Sequence, residues 1–330
     1  NVESGEITTN PVGTGPFELT GYTSGTSIEL TANQDWWGGA PAIGGVTFRF
    51  VPEPTTAMAE VTSGDVDWTD NVPPQQTEQI GNDDQVVLGQ SASNDYWYLT
   101  VNQTREPFDD VRVRQAIAYA IDREAITQVT MYGNATVNQL AIPETSAWYT
   151  EYEGYSYDPD TARDLLAEAG VGDLTLTMIT TDEDPETGPA GSLIAPQLAE
   201  GGLTAQPESL PWAEWLDRQG AGEYDMFMLG WLGNLDPDDF YYAQHHTGAV
   251  FNFQGYSNPQ VDEWLDQARV ETDDDARQAL YDQAATLIAD DASYIYLYNP
   301  DTVQVWNPRV EGYTVRGDGA IRFRDVTLGG

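Results

Sequence analysis

YDMFMLGWLGNLDPDDFYYAQHH, residues 224–246, is the stretch on which the fold class turns. Between Asp225 and Leu229 apolar side chains fill both alternating positions. A strand wetted on one face alternates, whereas one that is apolar at both parities is covered on both faces, as in an α/β sheet. The run breaks at Gly230, Trp231 follows at once, and Gly233, Asn234, Asp236, Pro237, Asp238 and Asp239 then make a turn-rich segment. In open α/β sheets ligands bind just beyond the carboxyl ends of the strands. An exposed Trp followed there by an amide and carboxylates reads as a recognition loop, an aromatic platform with polar groups beside it. A core Trp above an acidic surface turn is an equal reading of the same residues.

Working outward, residues 173–231 read strand (DLTLTMIT), helix (about 190–200), strand (about 203–207), helix (211–219) and strand (225–229). That alternation predicts a parallel, doubly wound unit, with Trp231 at the carboxyl end of its last strand. YWYLTV (96–101) is a further strand, rich in aromatic and β-branched residues. Asp109 or Asp110 caps one long helix through Val113, Ile117, Ala120, Ile121 and Val129 to near Gly133. Asp158-Pro159 and Asn258-Pro259 open two more helices, and Asp273 to Ala289 forms another. Strands are expected at 293–298, 303–306 and 312–316. Ahead of these come strands at 17–22, 27–32, 46–51 and 85–88, a helix at 55–63, and short helical structure after Pro73-Pro74. The fold class is α/β.

The chain has 330 residues, enough for two domains, and its 40% hydrophobic content supports a packed core. Cysteine is absent, which excludes disulfides and thiol chemistry. No apolar run reaches the length of a membrane span. The chain opens on Asn1 without a signal segment, as a mature or truncated product would. Asp and Glu number 54 against 13 basic residues, a net charge of −41, and every basic residue is Arg. Such a surface repels nucleic acid and anionic membranes, and its self-repulsion opposes compaction unless salt screens it. At about 1 M salt the Debye length is roughly 3 Å and most of that repulsion vanishes. Acid excess without Lys resembles the proteins of extreme halophiles. Acidic runs such as Asp273 to Asp275 then read as solvated helix starts rather than metal sites.

Seven segments, in order along nearly the whole chain, carry a family resemblance: NPVGTGPF (10–17), NQDWWGGAP (33–41), SGDVD (63–67), VNQTREPFDDVRVRQAIAYAIDREAI (101–126), YDPDTARDLLAEAG (157–170), GWLGNLDPDDF (230–240) and YSNPQVDEWLDQA (256–268). The chain resembles the extracellular solute-binding proteins of ABC importers, in the oligopeptide, dipeptide and nickel class called family 5. The resemblance implies a two-lobed, periplasmic-binding-protein-like (type II) fold with a hinge. It assigns residues 98–296 to the distal lobe and residues 1–97 with 297–330 to an incomplete first lobe, because family members are longer at the N-terminus. It also implies an extracellular, surface-attached protein that works with ABC permease subunits. No cofactor or metal follows from it, nor any nucleic-acid partner, and membrane attachment would run through an anchor outside this sequence.

Residue by residue, Trp231 matches the aromatic of the family's binding loop. Asn234 stands where peptide-binding members keep an Asp that pairs with the peptide's amino group. The change removes a charge, and a neutral hydrogen bond is about half as strong as a charge-assisted one. Asp236 is the nearest carboxylate that could take its place. Tyr298 matches a cleft-lining Tyr near the hinge, which Tyr96 and Trp97 enter from the other strand. Trp68 and Asn71 are further candidate contacts, while Trp36 and Trp37 read as lobe packing. Binding of a small solute, a peptide before an oligosaccharide or a nickel complex, is therefore the expected function. His245 and His246, the only histidines, offer at most one ligand to a chelated metal, since adjacent residues point apart. The rival class is an acid hydrolase using a pair such as Asp236 and Asp239. Acids are too abundant for a pair to signify, and GxSxG and HExxH are absent.

Overall fold

The computed structural model describes residues 11–183 and 186–329. Asn10, which opens the NPVGTGPF segment, lies outside them. The chain forms two compact units, one from the segment up to Ser91 with Thr302 onward, the other from Ala92–Asp301. No helix among the described residues is long and apolar enough to cross a membrane.

The first unit begins with an antiparallel meander, β1 (Phe17–Thr23), β2 (Ser27–Ala32) and β3 (Gly45–Arg49). Of its strand residues only Ala32 is fully buried. α1 (Pro54–Ser63) has Pro in its first turn and ends on Gly64 at φ 80°, a left-handed cap that costs glycine nothing. β4 (Trp68–Thr69), a 3₁₀ turn (Pro74–Gln76), α2 (Thr77–Ile80) and β5 (Val87–Ala92) follow. β5 starts later than the sequence suggests, because the Asp83 carboxylate takes the Gln85 N–H at 2.9 Å and holds a turn.

The second unit opens with β6 (Tyr96–Val101). The helix expected over 110–133 is two helices, α3 (Val111–Tyr119) and α4 (Arg123–Met131). Asp122 makes the break: its side chain accepts from Ala125 N at 3.0 Å and caps α4 as a new start. The elements then run β7 (Ala135–Val137), α5 (Pro159–Glu168), β8 (Leu174–Thr181), α6 (Thr187–Glu200), β9 (Leu203–Leu210), α7 (Trp212–Ala221), β10 (Met226–Trp231), α8 (Asp238–His245), α9 (Pro259–Ala268) and α10 (Asp274–Asp290). Asp110, Asp158, Asn258 and Asp273 each cap the helix that follows them.

β9, β8 and β10 are parallel neighbours with β8 in the middle, as the strand–helix alternation predicts. β6 lies antiparallel to β10 on one side and to β11 (Ile295–Trp306) on the other. Helices cover both faces. Leu99, Val101, Leu176, Met178, Met226 and Met228 pack toward α3–α6, and Tyr96, Tyr98, Ile179, Phe227 and Leu229 toward α7–α10. This is the physical meaning of an apolar run at both parities.

β11 is one strand of 12 residues where two were expected, and it carries the chain from the second unit into the first. Pro300 has no N–H to give the ladder, and its carbonyl takes Ser93 N at 3.1 Å. The expected strand over 312–316 is absent. The chain turns instead at Gly312 (φ 78°), after β12 (Val310–Glu311) pairs with β13 (Thr327–Leu328). Tyr313 drops into a small core, edge-on to Trp306 with ring centres 5.2 Å apart.

Candidate functional site

The carboxyl end of β10 is an edge built by strand register. Trp231 sits opposite Tyr96 and Gly230 opposite Trp97. The strand does not break at Gly230; it runs through it to Trp231. Gly230 is there for space, since a Cβ would come within 2.8 Å of the Trp97 indole. Trp97 therefore lies across the β10 backbone, with the Tyr298 ring centre 6.3 Å away at 30°. Trp231 projects to the opposite face, half-buried and edge-on to Phe251 at 4.9 Å. The edge thus has an aromatic on each side of one sheet.

Beyond Trp231 the loop is pinned rather than free. Gly233 N donates to the Asp95 carboxylate at 3.0 Å. A side chain at 233 would overlap the carbonyl of Asn94, so the loop lies flush on that backbone. Asn234 is held next to this contact with its side chain in solvent, flanked by Leu232 and Leu235, which are 80% and 76% exposed. Burial raises the Asp95 carboxyl above the ordinary range, and the Gly233 N–H partly offsets this. Asn299 fixes the start of β6 from beneath, donating to Asp95 O at 2.8 Å and Ala141 O at 2.9 Å. Asn138 donates to Asn299 Oδ1 at 2.8 Å. Sequence reasoning misses Asp95, Asn138 and Asn299. Only the antiparallel β6–β10 register brings residue 95 to residue 233, and nothing local encodes that register.

The remaining candidates lie elsewhere. Tyr96 is 1% exposed, its hydroxyl donating to Gln244 Oε1 at 2.6 Å, and it belongs to the aromatic core rather than to a ligand surface. Tyr298 is likewise buried beside Trp97. Asp236 is tied down: Arg277 Nη2 donates to it at 2.7 Å, which holds its carboxyl below the usual range. Asp238 is paired with Arg269 at 3.3 Å, so these neighbouring acids are each met by an arginine. Trp68 and Asn71 belong to the first unit, where both line an apolar cavity of about 920 Å³ with Phe48, Ile321 and Phe323. Asn71 spends its amide on the carbonyls of Val51 and Pro52, at 2.8 and 3.1 Å. His245 is fully buried between Ser293 Oγ at 3.0 Å and the Tyr296 hydroxyl at 3.1 Å, and reaches no ligand surface. His246 points away from it, stacked on Tyr242.

Comparison with known proteins gives this geometry a context. The family model described as Bacterial extracellular solute-binding proteins, family 5 Middle matches residues 1–252. The dipeptide-binding protein of Escherichia coli K12 is 28% identical over 329 residues, covering 97% of this chain and 62% of its own length. Heme-binding protein A of Haemophilus influenzae is 29% identical, covering 98% and 61%. The chain thus spans about three-fifths of the length of these relatives. Among solved structures, the ABC transporter-associated periplasmic binding protein DppA of Helicobacter pylori, in complex with peptide STSA, superposes with a TM-score of 0.86 at 30% identity, over 98% of this chain and 64% of that one. The α/β fold is that of periplasmic binding proteins, and the relatives are named for what they bind rather than for a reaction. The chain belongs to the bacterial extracellular solute-binding proteins of family 5.

Proposed function

We propose that the chain is the ligand-capturing part of an ABC importer and that its solute is a small peptide, held when two lobes close about a hinge. The observation that carries this is the edge at the end of β10: Trp231 and Trp97 on its two sides, and a pinned loop presenting Leu232, Asn234 and Leu235 to solvent. Apolar and aromatic surface with a few placed polar groups is the usual make-up of a small-molecule site. Peptides supply matching apolar side chains and amides. Of the relatives reported above, the dipeptide-binding protein and the complex with peptide STSA point the same way, while Heme-binding protein A is named for another ligand. A metal-complex reading finds less support, since His245 is enclosed in the core. The protein would work outside the cell beside permease subunits, in a saline medium that screens its acidic surface. Mass spectrometry of the solute that co-purifies with the full-length protein tests the reading. Peptides are expected; a sugar or a metal chelate in their place would overturn it.

A further inference from the structure

Residues 226–235 and 240–261 contain no Asp, Glu or Arg, in a chain that carries 54 acids in 330 residues. The fold joins these two uncharged stretches at the end of β10, where Trp231 meets Phe251. Leu232, Leu235 and Val250 lie close along the chain to that contact and are 80%, 76% and 73% exposed, and Phe251 is partly exposed as well. The turn that displays Val250 and Phe251 is fixed. Phe251 N donates to Ala243 O at 2.9 Å. Asn252 clasps the turn, donating to His246 O at 3.0 Å and Tyr256 O at 2.8 Å and accepting from Tyr256 N at 2.9 Å. The loop after β10 is held through Gly233 N. Loops tied down at the backbone do not fold over to cover their own apolar side chains. The first acids after Leu235, Asp236 and Asp238, are met by Arg277 at 2.7 Å and Arg269 at 3.3 Å. A contiguous exposed apolar surface marks a contact site. A stable protein pair needs about 20–30 residues a side, far more than this island offers, and a second copy would bring −41 against −41. A small solute meets neither obstacle. We propose that the island of Trp231, Leu232, Leu235, Val250 and Phe251 sets the side-chain specificity of the site, selecting peptides with an apolar or aromatic side chain over charged or small polar ones. The inference rests on the peptide-binding reading above and names the class of peptide it favours. In molar salt a charge is screened within about 3 Å, whereas apolar burial keeps its value.

The test offers the full-length protein, in molar KCl, an equimolar pool of alanine tripeptides carrying one Leu, Phe, Ser, Lys or Asp at each position in turn, and identifies the bound fraction by mass spectrometry. At the position the island reads, Leu and Phe are expected to exceed each of the others by about tenfold or more, the gain of burying one such side chain. Val250→Asp, at an exposed position, is expected to reduce that preference to about twofold or less, because a carboxylate set in the contact holds its water. Val129→Asp adds the same charge to an exposed position of α4 and is expected to leave the preference unchanged. A wild type without this preference at any position overturns the inference and leaves peptide binding standing. So does a preference that survives in Val250→Asp, or one lost equally in Val129→Asp. A ligand-free dimer in sedimentation that Val250→Asp dissociates would give the patch to a second copy and overturn the inference too. A wild type that takes none of the pool overturns the peptide reading, and this inference with it. The wild-type comparison depends on no variant folding.

Discussion

Trp231 is the side chain whose truncation discriminates most sharply. It is half-buried and edge-on to Phe251. Truncating a buried aromatic anchor costs about 2 kcal/mol or more in binding. Trp231→Ala is therefore expected to weaken the co-purified ligand by about tenfold or more, read by calorimetry, with circular dichroism unchanged; unaltered affinity would remove the loop from the site. His245 gives a pH signature. Burial pushes it down to about 3, against about 6.5 in an unfolded chain. A cationic group whose pKa falls on folding stabilises fully above the unfolded value and loses that contribution as pH drops through 6.5 toward 3. The loss is at most about 1.4 kcal/mol per pH unit. In molar salt, wild type should lose more of its melting temperature than His245→Gln between pH 7.5 and 5; equal losses would contradict a neutral buried imidazole. At this scale the sequence is half legible. The positions of Trp231 and Asn234, at and just beyond the end of β10, are legible because they follow a readable strand. Tyr96 is misplaced because its side of β6 depends on pairing register, which flips every side chain when it shifts by one.

At the scale of elements, strong local signals carried and tertiary ones did not. Asp-Pro and Asn-Pro pairs located α5 and α9 because cap and first turn are encoded side by side. The break between α3 and α4 was invisible to periodicity, since Ala120 and Ile121 stay apolar while Asp122 turns the chain. Asp122→Ala should cost about 1 kcal/mol, the usual loss of an N-cap, in chemical denaturation; no loss would mean the cap is ornamental. β11 read as two strands because Asn299-Pro300-Asp301 looks like a turn, and it is the long-range bonds of Asn299 and Pro300 that keep it extended. Gly233→Ala probes the pinned loop. With the Asn94 carbonyl in the way, the loop must lift, at a cost of about 1–3 kcal/mol, typical of overpacking. Stability and ligand affinity should fall together; a variant unchanged in both would show that the loop does not rest on the Asn94 backbone.

For the molecule as a whole, electrostatic repulsion outweighs any single contact, and it was legible from composition alone. With −41 and arginines almost all engaged in ion pairs, no cation reserve opposes repulsion among the remaining acids. The melting temperature is expected to climb from low to molar KCl, then flatten once the Debye length nears 3 Å. A flat response across that range would refute a saline habitat without touching ligand binding. What composition cannot convey is connectivity. Ser93 and Pro300, 207 positions apart, share a hydrogen bond of 3.1 Å, so the second unit enters and leaves through one doorway. A module whose ends touch behaves as an insertion. New termini opened in a surface loop, with the old ones sealed by a short linker, should leave its sheet intact. By the same geometry the second unit could be moved between hosts as a single cassette, its two junctions lying side by side.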